Sequence, residues 1–109
     1  MKPLIPLRTV GGTMSNVSEK SIERKLVEAA KNMGGIAPKF VSPGLDGMPD
    51  RIVLLPHGLF AFVELKAPGK KPRPLQVSRH EMLRRLGFKV YVIDSAEQIG
   101  GILNEIRTP

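Results

Sequence analysis

Two short apolar segments separated by only three residues most constrain the fold of this chain. Residues 51–55 (Arg-Ile-Val-Leu-Leu) and 59–66 (Leu-Phe-Ala-Phe-Val-Glu-Leu-Lys) are rich in the β-branched and aromatic residues that favour extended backbone. Pro56-His57-Gly58 between them is typical of a turn. Because so short a connection cannot carry a crossover, we predict that the two strands pair antiparallel as a hairpin.

Helical and extended patterns alternate along the rest of the chain. Apolar residues at helical spacing predict an amphipathic helix over residues 18–33, which Ser18 or Asn16 can cap. A second helix is predicted from Pro74 to about Leu86. The other predicted elements are a strand at residues 37–41, a strand at residues 89–94 and a last helix from Ser95 to about Ile106.

The length of 109 residues favours a single domain. Residues 1–16 contain Pro and Gly without any periodicity, so we predict a flexible lead-in followed by one domain over residues 17–109. Met14 is a candidate translation start, which leaves open whether residues 1–13 are native.

The net charge of +7 comes from one part of the chain. Residues 66–89 contain eight basic residues and a single acid, whereas basic and acidic residues balance elsewhere. A concentrated basic region favours a polyanionic partner, most often a nucleic acid.

Several classes of protein are excluded by composition. The absence of cysteine excludes a disulfide framework, a thiolate metal site and a cysteine nucleophile. No apolar run reaches the roughly 18 residues of a membrane span, and the first residues lack the apolar core of a signal peptide. We therefore expect a protein of the cytoplasm with no membrane partner.

Two carboxylates and a lysine lie at the ends of the predicted hairpin strands. Glu64 and Lys66 are two residues apart, so they share one face of the strand while Leu65 points into the core. Asp50 begins the partner strand, and the hairpin register brings it beside Glu64. Two converging carboxylates and a lysine suit metal-assisted phosphodiester hydrolysis, with the Leu65 carbonyl as a candidate extra ligand. The competing interpretation is a surface ion pair worth ~0–1 kcal/mol.

The first helix carries two further acids. Glu19 and Glu23 are four residues apart and share a face with Leu26 and Ala30, which are predicted to be buried. An acid beside a buried stripe needs a partner.

These stretches together resemble the VRR-NUC group of the PD-(D/E)xK nuclease superfamily, in its short, stand-alone, phage-type form. The residues that carry the resemblance are 18–27 on the first helix, 39–51, 62–69 and 73–76. The resemblance implies an α/β fold with a restriction-endonuclease-like core, in which helices flank a central mixed four-stranded sheet. It also implies a DNA endonuclease that depends on Mg²⁺ or Mn²⁺.

The resemblance also implies residue roles. Asp50 and Glu64 would be metal ligands, Lys66 the catalytic lysine, and Gln76 a residue beside the site at the head of the second helix.

The helix acid stays open between two catalytic candidates. Glu23 lies where Holliday-junction resolvases of the superfamily carry theirs, whereas Glu19 matches the Ser-Glu-Lys start of VRR-NUC chains. The likeness to junction resolvases further implies a homodimer acting on branched DNA in a bacterial or phage-infected host cell.

The basic residues after the second hairpin strand are candidates for DNA binding. Lys70, Lys71 and Arg73 form a proline-stiffened loop next to Lys66, where they would contact phosphates. Arg79 on the second helix extends this track, or belongs to a solvated helix face. The two histidines have no partner at ligand spacing, which argues against a zinc site.

Two rival functions remain. The first is a non-catalytic nucleic-acid-binding module on the same scaffold. The second is a regulatory protein whose basic helix binds an acidic protein.

Overall fold

The computed structural model describes residues 18–108. The predicted lead-in over residues 1–16, with the candidate start at Met14, lies outside the described residues. None of the helices within residues 18–108 is long and apolar enough to cross a membrane.

The two apolar segments form the predicted antiparallel hairpin. Strand β1 (Arg51–Leu55) pairs with β2 (Leu59–Leu65) so that Arg51 lies opposite Val63. The connection is a 3₁₀ turn over Pro56–Gly58, in which His57 adopts a left-handed backbone with φ 72°. Strand β3 (Val90–Ile93) pairs parallel to β2, which gives a mixed sheet of order β1-β2-β3.

The prediction of a fourth strand at residues 37–41 is wrong, because the described chain forms a three-stranded sheet. The segment makes isolated bridges along the outer edge of β1 instead. The bridged pairs are Ile36 with Leu54 and Lys39 with Arg51. Pro38 lies between the bridges and has no N–H to donate, so it interrupts the ladder, although its carbonyl accepts from the Ile52 N–H.

The helices lie close to their predicted positions. Helix α1 (Glu19–Asn32) begins at a capping box, in which Ser18 and Ser21 each accept the other's backbone N–H. Helix α2 (Pro74–Arg85) also matches its prediction. The last predicted helix is split, because a 3₁₀ turn (Ala96–Gln98) precedes α3 (Ile99–Arg107).

The sheet lies between two apolar clusters. Residues 61, 63 and 65 of β2 face the main core, which α1 and α3 cover. Phe62 points to the opposite face, where it packs against Leu83 of α2 and Val90 of β3. Side chains alternate along a strand, so Glu64 points to the same face as Phe62, towards α2. Leu65 is buried in the main core, as predicted.

The close approach of the segment after α1 to β1 predicts that Gly35→Ala destabilises the fold. A Cβ at Gly35 would collide with the backbone carbonyl oxygen of Leu54, and backbone cannot yield as a flexible side chain does. We expect the free energy of unfolding, measured by urea denaturation, to fall by about 2 kcal/mol or more. Gly44→Ala is the matched control, because a Cβ there meets open space. Equal unfolding midpoints for the two variants would contradict the prediction.

Candidate active site

The hairpin register brings Asp50 to the end of β2. Asp50 directly precedes β1, whose first residue lies opposite Val63. The backbone N–H of Leu65 donates to Oδ1 of Asp50 at 3.0 Å. Burial raises the pKa of Asp50, and the Glu19 carboxylate adds to this rise, while the Leu65 N–H opposes it. The side chain is therefore a partly desolvated acid, held against the strand that carries Glu64.

Glu64 is a buried carboxylate between the sheet and α2, with only 3% of its surface exposed. Its Oε2 accepts a hydrogen bond from Nε2 of Gln76 at 3.2 Å and lies 3.7 Å from Nζ of Lys66. Burial and the nearby charge of Asp50 raise the pKa of Glu64 to about 7, although Lys66 opposes the rise. The geometry therefore places Asp50 where its charge disfavours the ionisation of Glu64.

Gln76 connects the buried acid to the lysine. Its Nε2 donates to Glu64, and its Oε1 accepts from Nζ of Lys66 at 2.9 Å and from the backbone N–H of Arg73 at 2.8 Å. Pro74 begins α2 just upstream, which places Gln76 in the first turn of the helix. The start of α2 thus fixes the amide that holds both Glu64 and Lys66.

His80 lies one turn further along α2 and is 2% exposed. Its Nε2 is 3.5 Å from Oε1 of Glu64, and neither atom has a hydrogen-bond partner among the described residues. Burial lowers the pKa of His80, and the positive charges of Arg84 and Lys66 lower it further. A neutral imidazole therefore faces the second oxygen of Glu64.

The two acids of α1 have different surroundings. Glu23 forms an ion pair with Arg51, and this contact lowers the pKa of Glu23. The same guanidinium donates to the Ala37 carbonyl at 2.6 Å. Glu19, one turn earlier and exposed, raises the pKa of both Asp50 and Glu64 through its charge. Glu23 is thus engaged in a structural contact, while Glu19 acts electrostatically on the site.

A cleft of about 460 Å³ opens over Asp50. Its lining residues come from α1, from the segment beside β1 and from the start of β1. They are Glu19, Lys20, Glu23, Lys39, Phe40, Val41, Asp50 and Arg51. Lys20 and Lys39 are cations that the sequence pattern does not single out. Their approach to Asp50 depends on how α1 and the segment after it pack beside β1.

The predicted DNA-binding residues divide into two groups. Lys70, Lys71 and Arg73 are exposed on the loop that joins β2 to α2, next to Lys66. Arg79 makes a hydrogen bond within the protein, because its Nε donates to the Asp46 carbonyl at 2.8 Å. That bond fastens the loop before Asp50 to α2.

The same loop is held at Gly47, which has φ +85° and packs on α2. A Cβ at Gly47 would lie 2.8 Å from Cγ of Leu75 and 3.1 Å from Cγ of Arg79. The chain therefore approaches α2 closely just before it reaches Asp50.

The site residues fit a divalent cation, although no three His, Cys, Asp or Glu side chains converge as a metal-binding group within residues 18–108. Asp50 and Glu64 repel each other, and both have raised pKa values. Oε1 of Glu64 is buried without a hydrogen-bond partner in the described part of the chain. A cation would relieve the repulsion and contact this oxygen. The Leu65 backbone, whose N–H donates to Asp50, lies beside the same acids.

His80 is the site residue that sequence reasoning missed. In the sequence His80 has no partner at the spacing of a zinc site, and this spacing carries no information about a contact with Glu64. A usable signal existed, because His80 is four residues after Gln76 and must share its helix face.

Comparisons with known proteins agree with this fold and identify its family. The chain matches the VRR-NUC domain family over residues 12–97. It is 52% identical over 84 residues to "Putative nuclease p44" of Acyrthosiphon pisum secondary endosymbiont phage 1, which covers 77% of this chain and 90% of the relative. A solved structure described as "VRR_NUC domain" has a TM-score of 0.73 and 33% identity, covering 79% of this chain and 94% of that one. The chain therefore belongs to the VRR-NUC family.

Proposed function

We propose that this protein is a divalent-cation-dependent endonuclease that hydrolyses phosphodiester bonds in DNA, with a preference for branched or junction-like DNA. The family and the phage relative, which is named a nuclease, support nuclease activity. The observation that carries the proposal is the buried Glu64 beside Asp50, joined to Lys66 through Gln76.

Asp50, Glu64 and the Leu65 carbonyl would hold the cation, which is Mg²⁺ or Mn²⁺ because these ions prefer oxygen donors. When bound, such a cation lowers the pKa of a coordinated water and stabilises negative charge on the phosphate. Glu19 is the helix acid of the site in this proposal. Glu23 is unsuited to the role because Arg51 already holds its carboxylate.

Lys66 is placed to act on the reacting phosphate. Its side chain is 17% exposed, so the ammonium reaches the site from a largely buried stem. Gln76 accepts one of its protons and leaves others to orient a water or to offset charge that develops on the phosphate. The ammonium is thus pre-positioned, and it does not have to reorganise during the reaction.

Positive charge on both sides of the acidic site would hold the DNA backbone. The loop with Lys70, Lys71 and Arg73 lies beside Lys66, and Lys20 and Lys39 line the cleft over Asp50. Contacts of this kind bind phosphates without reading base edges. They favour recognition of DNA shape, which is consistent with a branched substrate. In a homodimer, two such sites would face two strands of one branch.

The two rival functions leave the buried acid unexplained. A protein that only binds nucleic acid, or only binds an acidic protein, gains nothing from a desolvated carboxylate next to its basic surface. Such a carboxylate costs free energy unless it has a partner.

The first test of the proposal is cleavage by site variants. Asp50→Asn and Lys66→Met should lower the rate of cutting by about 100-fold or more, because the first removes a ligand of the cation and the second removes the ammonium aimed at the phosphate. Binding of the DNA, measured by fluorescence anisotropy, should persist. Lys31→Met is the control, since Lys31 is exposed in the last turn of α1, far from Glu19 at its start.

Substrate preference is measured in the same assay with four-way junction, flap, single-stranded and linear duplex DNA, each with Mg²⁺, Mn²⁺ or chelator. Paired symmetric nicks on the junction would support a dimer with two active sites. Equal cutting of linear duplex would overturn the preference for branched DNA, and no cutting with either metal would overturn the enzyme. Full activity of Lys66→Met would overturn the proposed role of the lysine.

The raised pKa of Glu64 predicts pH-dependent stability in the cation-free protein. The pKa rises from 4.5 to about 7 on folding, so the folded state holds this proton more tightly than the unfolded chain. The resulting stability is complete below about pH 4.5 and is lost as the pH rises through about 7, by on the order of 3 kcal/mol.

Glu64→Gln should remove this dependence. With chelator present, the free energy of unfolding in urea should fall for the wild type between about pH 5 and about pH 8 and should stay nearly constant for the variant. Mg²⁺ should then stabilise the wild type at the higher pH and have little effect on the variant. The same pH dependence in both proteins would contradict the prediction.

The exposed basic loop predicts a change in the salt dependence of DNA binding. Replacing Lys70, Lys71 and Arg73 together by Gln should reduce the slope of log affinity against log salt by about 2 to 3, since each lost phosphate contact accounts for about 0.9. The control replaces three exposed basic residues of α1 and has the same change in net charge. These residues are Arg24, Lys25 and Lys31. Equal slopes for the two triple variants would show that the loop does not contact DNA.

A further inference from the structure

We propose that His80 is a positioning residue of the acidic site, whose Nε2–H donates to Oε1 of Glu64 and fixes the orientation in which this carboxylate meets a divalent cation. The inference deepens the proposed function and rests on it. It concerns a residue that touches neither phosphate nor cation, and acts through Glu64.

The two oxygens of Glu64 are divided between two residues of α2. Gln76 donates to Oε2 at 3.2 Å, and Nε2 of His80 faces Oε1 at 3.5 Å. The two residues are four apart on the helix, so they present their side chains to the same point. One rigid helix therefore addresses both oxygens, which fixes the rotation of the carboxylate as well as its location.

Burial favours a hydrogen bond between His80 and Glu64. Oε1 of Glu64 and Nε2 of His80 are both shielded from solvent, and neither has a hydrogen-bond partner within residues 18–108. A buried polar atom without a partner costs about 1–3 kcal/mol. The two atoms face each other, and a shift of a few tenths of an ångström would complete the bond. An ionised carboxylate only accepts, so the imidazole proton is on Nε2 when Glu64 is ionised.

A hydrogen bond from behind would orient the Glu64 carboxylate. Nε2 of His80 is 3.5 Å from Oε1 of Glu64, on the side of α2, so a donor there fixes the carboxylate through one oxygen while Asp50 lies beside it. Hydrogen-bond partners of this kind behind a metal ligand commonly change affinity for the metal by 10–100-fold when removed.

Two other roles for His80 make different predictions. A histidine that only fills space would tolerate an apolar residue of similar size without any effect on cation binding. A histidine that binds the cation directly would need the lone pair of Nε2 and hence the proton on Nδ1.

The first experiment reads the tautomer in the wild-type protein, labelled with ¹⁵N and kept in chelator at about pH 9, where Glu64, whose pKa is about 7, is ionised. Two-bond ¹H–¹⁵N correlation spectra should show His80 protonated at Nε2, with the exposed His57 as an internal reference. Glu64→Met, which removes the acceptor, should shift the Nε2 resonance of His80. A proton on Nδ1, or an unchanged resonance in the variant, would overturn the proposal.

The second experiment measures Mn²⁺ affinity by calorimetry. His80→Leu should bind Mn²⁺ about 10–100-fold more weakly than wild type, and His80→Gln, whose amide nitrogen can reach the Nε2 position, should stay within about threefold. His57→Gln is the matched control and should bind as wild type. Unchanged affinity in His80→Leu, or an equal loss in both His80 variants, would overturn the proposal.

Failure of this inference can be distinguished from failure of the proposed function. Wild-type protein that neither binds Mn²⁺ nor cuts DNA would overturn the proposed function, and with it any role of His80 toward a cation. Wild-type protein that binds and cuts, beside a His80→Leu variant that binds equally well, would overturn the role of His80 alone. If His80→Leu does not fold, the tautomer and the affinity of His80→Gln decide the question.

Discussion

A carboxylate buried between a sheet and a helix is the constraint on which the rest of this site depends. Glu64 is on the central strand, and its side chain points towards α2, where solvent cannot hydrate its charge. Three polar side chains near it partly compensate for the lost hydration. Gln76 donates to one oxygen, His80 faces the other, and Lys66 provides the nearest positive charge. Because Asp50 adds a like charge, these contacts leave the carboxylate only partly compensated. An arrangement that stays incomplete in the protein alone is one that a cation can complete.

A second contact, the fork of Arg51, gives the two acids of α1 different surroundings. One guanidinium nitrogen pairs with Glu23 and another donates to the Ala37 carbonyl, so a single side chain ties β1 to the helix and to the edge segment. Because both contacts are at the start of β1, they also anchor the backbone next to Asp50. The helix is thereby fixed in the rotation that turns Glu19, one turn away, towards the cleft.

Turn length and the alternation of side chains along a strand predict much of the site. The other site residues depend on contacts between segments that are far apart in the sequence. A three-residue turn imposes a hairpin, and the period of two places Glu64 and Lys66 together with Asp50 beside them. The choice between Glu19 and Glu23 depends on the reach of Arg51, which spacing along a helix cannot reveal. The fourth strand fails because a single proline interrupts its ladder, although the neighbouring residues still bridge to β1. The role of His80 depends on how α2 crosses the sheet.

The basic excess of residues 66–89 is not a uniform binding surface. Arg84 donates to the Val90 carbonyl and Arg79 to the Asp46 carbonyl, so part of the charge on α2 holds neighbouring segments in place. Lys66 is turned inward to the acidic site, where it offsets the charge of Glu64. The basic residues of the loop between β2 and α2 are exposed. This loop begins directly after β2, the strand that carries the buried Glu64. A charge pattern that is continuous in sequence is therefore divided by the fold into a group that supports neighbouring segments and an exposed group. Asp50 and Glu64 lie next to the exposed group.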